Sequence, residues 1–204
     1  MSSELEFFFD YGSPFSFIAQ SQLAGLAERT GARLIYRPML LGGVFKATGN
    51  RSPALEPVES KRAHGSLDMA RWVDFYGIDF RFNPHFPINT LFLMRQAHAA
   101  IEQGVFESFH AAVWPAFWVE SLDLGDPDIL ADVLNRSGLD GAGLAERALA
   151  PEVKAAVRAT TEEAVSRGAF GAPTFFVGDQ MFFGNDRLPF VERALKTGRS
   201  HDGN

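Results

Sequence analysis

The chain contains no cysteine. That absence removes disulfides, thiolate-ligated zinc and dithiol redox exchange together. No stretch approaches 18 uninterrupted apolar residues, so a membrane-spanning helix is not expected. Positive charge is scarce: 19 Lys and Arg stand against 25 Asp and Glu, for a net charge of −6 and no basic cluster. A surface of that sign argues against nucleic acid or an anionic membrane as a partner. Met1-Ser2-Ser3-Glu4-Leu5-Glu6 is acidic and lacks the basic start of a secretion signal, which makes the cytoplasm the expected location. The five histidines, His64, His85, His98, His110 and His201, are scattered without ligand spacing, and no metal site is expected.

What is plentiful is aromatic surface. Aromatics make up 13% of the 204 residues, and 20 residues are Phe. A hydrophobic fraction of 46% with 22% charged residues is that of an ordinary globular protein with a sizeable core. Aromatics on this scale chiefly fill a core, and they also suit a pocket for a flat apolar ligand.

Periodicity divides the chain into three parts. Residues 5–9 read as a strand, Phe15, Ile18, Ala19, Leu23 and Leu26 recur at helical spacing up to Thr30-Gly31, and residues 33–36 read as a second strand. From about 44 to 168 the pattern is helical. Helices are expected from Pro57 to Gly77, after a capping Asn89, over Phe106–Trp118, from Asp126-Pro127 to Gly138, and from Pro151 to Gly168. Thr174–Val177 and Gln180–Phe183 flank Gly178-Asp179, the loop of a type II′ hairpin. A closing helix over Leu188–Leu195 and a frayed tail over Gly198–Asn204 complete the reading. The order is βαβ, a helical block, then ββα. This is an α/β chain of thioredoxin-like order: residues 1–43 and 169–204 form the thioredoxin-like part and 44–168 a large all-helical insertion.

Two turns carry the chemistry. Ser13-Pro14-Phe15-Ser16 delivers a hydroxyl to the first turn of a helix, beside unpaired N–H groups and the positive end of the helix dipole. Thioredoxin-like oxidoreductases carry Cys-x-x-Cys at that position. The second turn, Gly171-Ala172-Pro173-Thr174, precedes a strand. Only about 5–6% of X-Pro bonds are cis, so local sequence favours trans, whereas thioredoxin-like proteins have a cis-proline here. By itself Ser13-Pro14 is equally an ordinary helix cap followed by Pro at the first helical position.

Five motifs in order make the reading specific. They are Phe9-Asp10-Tyr11-Gly12-Ser13-Pro14-Phe15-Ser16-Phe17, Val44–Asn50, Phe86–Leu91, Gly171–Phe176 and Phe183-Gly184-Asn185-Asp186-Arg187-Leu188. Together they resemble the 2-hydroxychromene-2-carboxylate isomerase family, close to the kappa-class glutathione transferases within the DsbA-like thioredoxin superfamily. The resemblance spans roughly residues 4–196. It implies that glutathione is the cofactor, that Ser13 contacts its thiol, and that Pro14, Phe15, Asn50, Ala172 beside Pro173, and Asn185-Asp186 hold the tripeptide. It also implies that Lys46 and Asn89 lie near an aromatic substrate, and that the protein is a homodimer. Phe183 stands where relatives often have Trp.

The activity so implied is glutathione-dependent isomerisation of 2-hydroxychromene-2-carboxylate, or a related aromatic α-keto acid, by reversible thiolate addition. Two alternatives stay open at this point: a kappa-like transferase that releases a conjugate, and a non-catalytic thioredoxin-like binding protein in which Ser13 is only a cap.

Overall fold

A computed structural model describes residues 3–198. Four strands form one sheet in the order β2-β1-β3-β4. The central strand β1 (Glu4–Phe9) runs parallel to β2 (Arg33–Pro38) and antiparallel to β3 (Thr174–Val177), which pairs with the edge strand β4 (Gln180–Phe183). Alternation along β1 sends Leu5, Phe7 and Phe9 into the main core and Phe8 to the opposite face. In the main core the Phe7 ring stacks between Phe9 at 4.9 Å and Phe175 at 5.2 Å.

The crossover helix α1 (Pro14–Thr30) begins at a Ser13 cap and stops at Gly31, whose φ of +66° only glycine adopts freely. It buries Ile18, Ala19, Leu23 and Leu26. The helices between β2 and β3 are α2 (Leu41–Thr48), α3 (Glu59–Tyr76), α4 (Leu91–Glu102), α5 (Phe106–Trp118), α6 (Pro127–Arg136), α7 (Gly141–Arg147) and α8 (Pro151–Ser166). After β4, α9 (Leu188–Thr197) closes the chain. The main core runs without a break from Phe7 and Leu23 into Phe109, Trp114 and Leu134 of the helical block. Trp114 and Trp118 are therefore core residues.

Several sequence expectations need correction. The helix expected from Pro57 starts at Glu59, because residues 53–55 first make a short 3₁₀ turn capped by Ser52. Helix α2 begins at Leu41, before the expected helical block, despite Gly42 and Gly43 in its first turn. Glycine there costs about 1 kcal/mol per residue in isolation. The fold offsets this: Thr161 Oγ1 accepts the Leu40 N–H and Asp10 Oδ2 the Leu41 N–H, and α2 lies so close to α8 that a Cβ on Gly43 would sit 3.0 Å from Thr161. Helix α7 was hidden for a similar reason, since a Cβ on Gly141 would meet the Ala131 carbonyl at 2.7 Å. The hairpin follows expectation, with φ positive at Gly178 and not at Asp179, the II′ pattern. Of the expected frayed tail, only Gly198 lies inside the described residues, where it ends α9.

Candidate active site

After β1 the chain reverses in four residues. The Ser13 N–H donates to the Asp10 carbonyl at 3.0 Å, and the Gly12 N–H to Asp10 Oδ1 at 2.9 Å. Ser13 then stands at the cap of α1 with extended backbone. Its Oγ accepts the Ser16 N–H at 3.1 Å and donates its own proton to the Ala172 carbonyl at 3.2 Å. Pro14 has no N–H, and the Phe17 N–H is bonded to the Ser13 carbonyl. Among the described residues, the Phe15 N–H is thus the backbone donor of this first turn left without an acceptor, and the buried Ser16 hydroxyl beside it has no partner either.

Across from α1, the Ala172-Pro173 peptide is cis, which overturns the local expectation of trans and agrees with the thioredoxin-like one. The Pro173 carbonyl accepts the Gly184 N–H at 3.0 Å, tying this turn to the segment before α9. Gly184 has φ +99°, and a Cβ there would sit 2.5 Å from Asp186 Oδ1, so the position requires glycine. Next to it Asn185 is buried, and its Nδ2 has no partner among the described residues. Asp186 is half-exposed, pairs with Arg187, and comes close enough to α3 to act on Tyr76. Burial first, and the Asp186 charge second, push the Tyr76 phenol above its ordinary range.

The other anticipated residues enter less directly. Asn50 Nδ2 donates to the Phe170 carbonyl at 2.8 Å, joining the end of α2 to the chain two residues before Ala172. Lys46 is exposed in the last turn of α2 and has no ion-pair partner among the described residues. Asn89 is not the cap expected of it: Thr90 holds the N-cap position of α4 without a side-chain cap bond, and Asn89, one residue earlier, accepts the Leu91 N–H at 3.0 Å across a short turn. Direct bonds therefore unite Ser13, Ala172, Pro173 and Gly184-Asn185, with Asn50 one segment away. Among the described residues, no bond joins the side chain of Lys46 or Asn89 to that group.

Asp10, Thr90, Tyr76 and Phe170 were missed as site residues. Asp10 and Thr90 lie inside, and Phe170 beside, motifs read for other positions, while Tyr76 lies in the helix expected from Pro57 to Gly77, and only folding brings it to Asp186. Phe170 and Phe183 face each other at 4.5 Å beside Gly171, both half-exposed, and supply an apolar wall. The chemistry on offer is clear. A buried hydroxyl and, among the described residues, an N–H of Phe15 without an acceptor stand at the positive end of a 17-residue helix, facing the Ala172 carbonyl of the cis-proline turn, a place suited to an anion such as a thiolate.

A four-stranded sheet with a cis-proline facing a capped helix N-terminus, interrupted by a helical block, defines a thioredoxin-type domain of the DsbA kind. The DSBA-like thioredoxin domain family model matches residues 4–196. A 2-hydroxychromene-2-carboxylate isomerase from Sphingobium xenophagum is 35% identical over 195 residues, covering 96% of this chain and 99% of its own. Human glutathione S-transferase kappa 1 is 26% identical, covering 94% and 90%. A solved 2-hydroxychromene-2-carboxylate isomerase superposes with a TM-score of 0.83 at 28% identity, covering 94% of both chains. The chain belongs to the 2-hydroxychromene-2-carboxylate isomerase family, within the DsbA-like thioredoxin proteins and related to the kappa-class transferases.

Proposed function

We propose that the chain is an enzyme, a glutathione-dependent isomerase interconverting 2-hydroxychromene-2-carboxylate and trans-o-hydroxybenzylidenepyruvate or a related aromatic α-keto acid. The observation that carries this is the Ser13 hydroxyl, held between the α1 N-terminus and the Ala172 carbonyl in a chain with no thiol of its own. The surrounding residues fit a peptide ligand. Asn185 keeps a buried amide donor unpaired, Asp186 presents a carboxylate to an amine, and Ala172 offers backbone N–H next to a cis-proline.

When bound, glutathione would supply a thiolate to add reversibly to the conjugated double bond of the ring-opened benzylidenepyruvate, so that the bond can rotate before the thiolate is expelled unchanged. A free thiol has a pKa of about 8.5, so the site must favour its charged form at neutral pH. The Ser13 proton turns from the Ala172 carbonyl toward the sulfur, and the Phe15 N–H adds a second donor. Each unit by which they lower the thiol pKa is worth about 1.4 kcal/mol. Lys46 meets the substrate carboxylate and the negative charge that develops on the keto oxygen. Phe170 and Phe183 face the aromatic ring.

The test is turnover of 2-hydroxychromene-2-carboxylate followed by ultraviolet absorbance, with and without glutathione. Turnover that ignores glutathione overturns the mechanism. The 26% identity to a kappa transferase keeps a conjugating activity as the second reading, tested with 1-chloro-2,4-dinitrobenzene. Failure to bind glutathione in calorimetry would leave a thioredoxin-like binding module. The enzyme is further proposed to act as a homodimer, which is supported by α3, an 18-residue helix with no buried residue and with Leu67 and Phe75 exposed.

A further inference from the structure

The Asp10 side chain is buried to 1% exposure at the end of β1, one turn of chain from Ser13. Three segments donate to it. Oδ1 accepts the Gly12 N–H at 2.9 Å, and Oδ2 accepts the Leu41 N–H at 2.8 Å and the Thr90 hydroxyl at 2.9 Å. Leu41 is the first residue of α2, which carries Lys46 and leads into Asn50. Thr90 stands at the start of α4, next to Asn89. The Thr90 methyl also packs on the Ser13 turn, 2.9 Å from where a Cβ on Gly12 would be.

A carboxylate in such a place is a poor device for stability alone. Burial opposes its ionisation, and well-packed apolar residues often stabilise as much as a buried charge. What an apolar side chain cannot do is fix three donors in direction at once. The carboxylate thereby sets the distances between the Ser13 hydroxyl, the helix bearing Lys46 and the loop bearing Asn89. On its other side the same turn is fixed by Trp118 Nε1, which donates to the Tyr11 carbonyl at 2.9 Å.

We infer that Asp10 and Thr90 are positioning residues, a carboxylate–hydroxyl pair that sets Ser13 in register with α2 and α4. The catalytic part of this inference rests on the function proposed above; the geometric part does not. Two measurements separate them. Amide hydrogen exchange at Gly12, Ser13 and Leu41 should rise at least about tenfold in T90V, consistent with loss of one hydrogen bond to a charged group. It should stay near wild type in T90S, which keeps the hydroxyl, while Phe7 and Phe8 in β1 keep their protection in both.

In glutathione-dependent turnover, kcat should fall about tenfold in T90V and about a hundredfold in D10N, as for a reacting group displaced by about 1 Å. T90S should restore most of it, and KM for the aromatic substrate should change less than kcat. Unchanged exchange at Gly12, Ser13 and Leu41 in T90V overturns the inference. So does raised exchange with an unaltered kcat in both T90V and D10N. Wild-type protein inert toward glutathione and substrate, but with the exchange pattern above, removes the proposed function and leaves the positioning role of Asp10 and Thr90 standing.

Discussion

Replacing Ser13 by alanine removes hydrogen bonds of two different consequences. Loss of the cap to Ser16 should lower stability by about 1 kcal/mol. Loss of the donor should lower glutathione-dependent kcat by about 100- to 1,000-fold. A melt and a rate measured on the same S13A sample distinguish them, and near-normal turnover would reduce Ser13 to a cap. His110 makes a second prediction at this scale. Trp114 Nε1 can only donate, so His110 Nε2, 3.0 Å away, must accept, and the ring proton sits on Nδ1 and points to the Tyr11 hydroxyl at 2.9 Å. Burial pushes the His110 pKa down to about 3. A group whose folded pKa is depressed contributes stability that is present in full above its unfolded pKa of about 6.5. That contribution is lost as pH falls toward about 3, at up to about 1.4 kcal/mol per pH unit, with His98 shifted in the same direction by its own burial. Nitrogen NMR should show a neutral Nδ1–H tautomer for His110 at pH 5; a ring that is protonated there would contradict the network.

At the scale of elements, two glycines test how rigid the site's scaffold is. A Cβ on Gly12 meets the Thr90 methyl, which is held by the hydroxyl's bond to Asp10. Gly12→Ala should therefore destabilise by about 1–3 kcal/mol. Adding T90S, which removes that methyl, should recover much of the loss, a coupling readable by denaturant titration of the four proteins. A Cβ on Gly171 meets the Phe183 ring at 2.8 Å, but that ring is half-exposed and free to swing away. Gly171→Ala should cost under about 1 kcal/mol by the same titration, a difference set by what stands behind the clash. These contacts also explain which elements were legible. The helix from Pro14 carries its own cap and its own stop in Gly31, and so could be read locally. Helix α2 borrows its cap from Asp10 and Thr161, residues about 30 and 120 positions away, and could not.

For the whole molecule, α3 is the unusual member, 18 residues long with only half-buried contacts along α1 and with Phe75 75% exposed. If two copies cover this face, light scattering should give about twice the 22.5 kDa of one chain, and L67E combined with F75E should return the monomer mass. A wild-type monomer, or a dimer untouched by these changes, would place the interface elsewhere or remove it. The strand and helix periods, the βαβ and ββα order, and the two proline turns are written in local residue choice, because backbone geometry and side-chain alternation act over a few residues. The absence of cysteine likewise excluded redox exchange before any coordinate was known. What only the tertiary structure decided is which atoms share one place. The Ser13 proton lies on the Ala172 carbonyl 159 residues away, and Thr90 shares the carboxylate of Asp10 from 80 residues away. Hydrogen bonds act over about 3 Å of space whatever the separation in sequence, so such partners have no local signature.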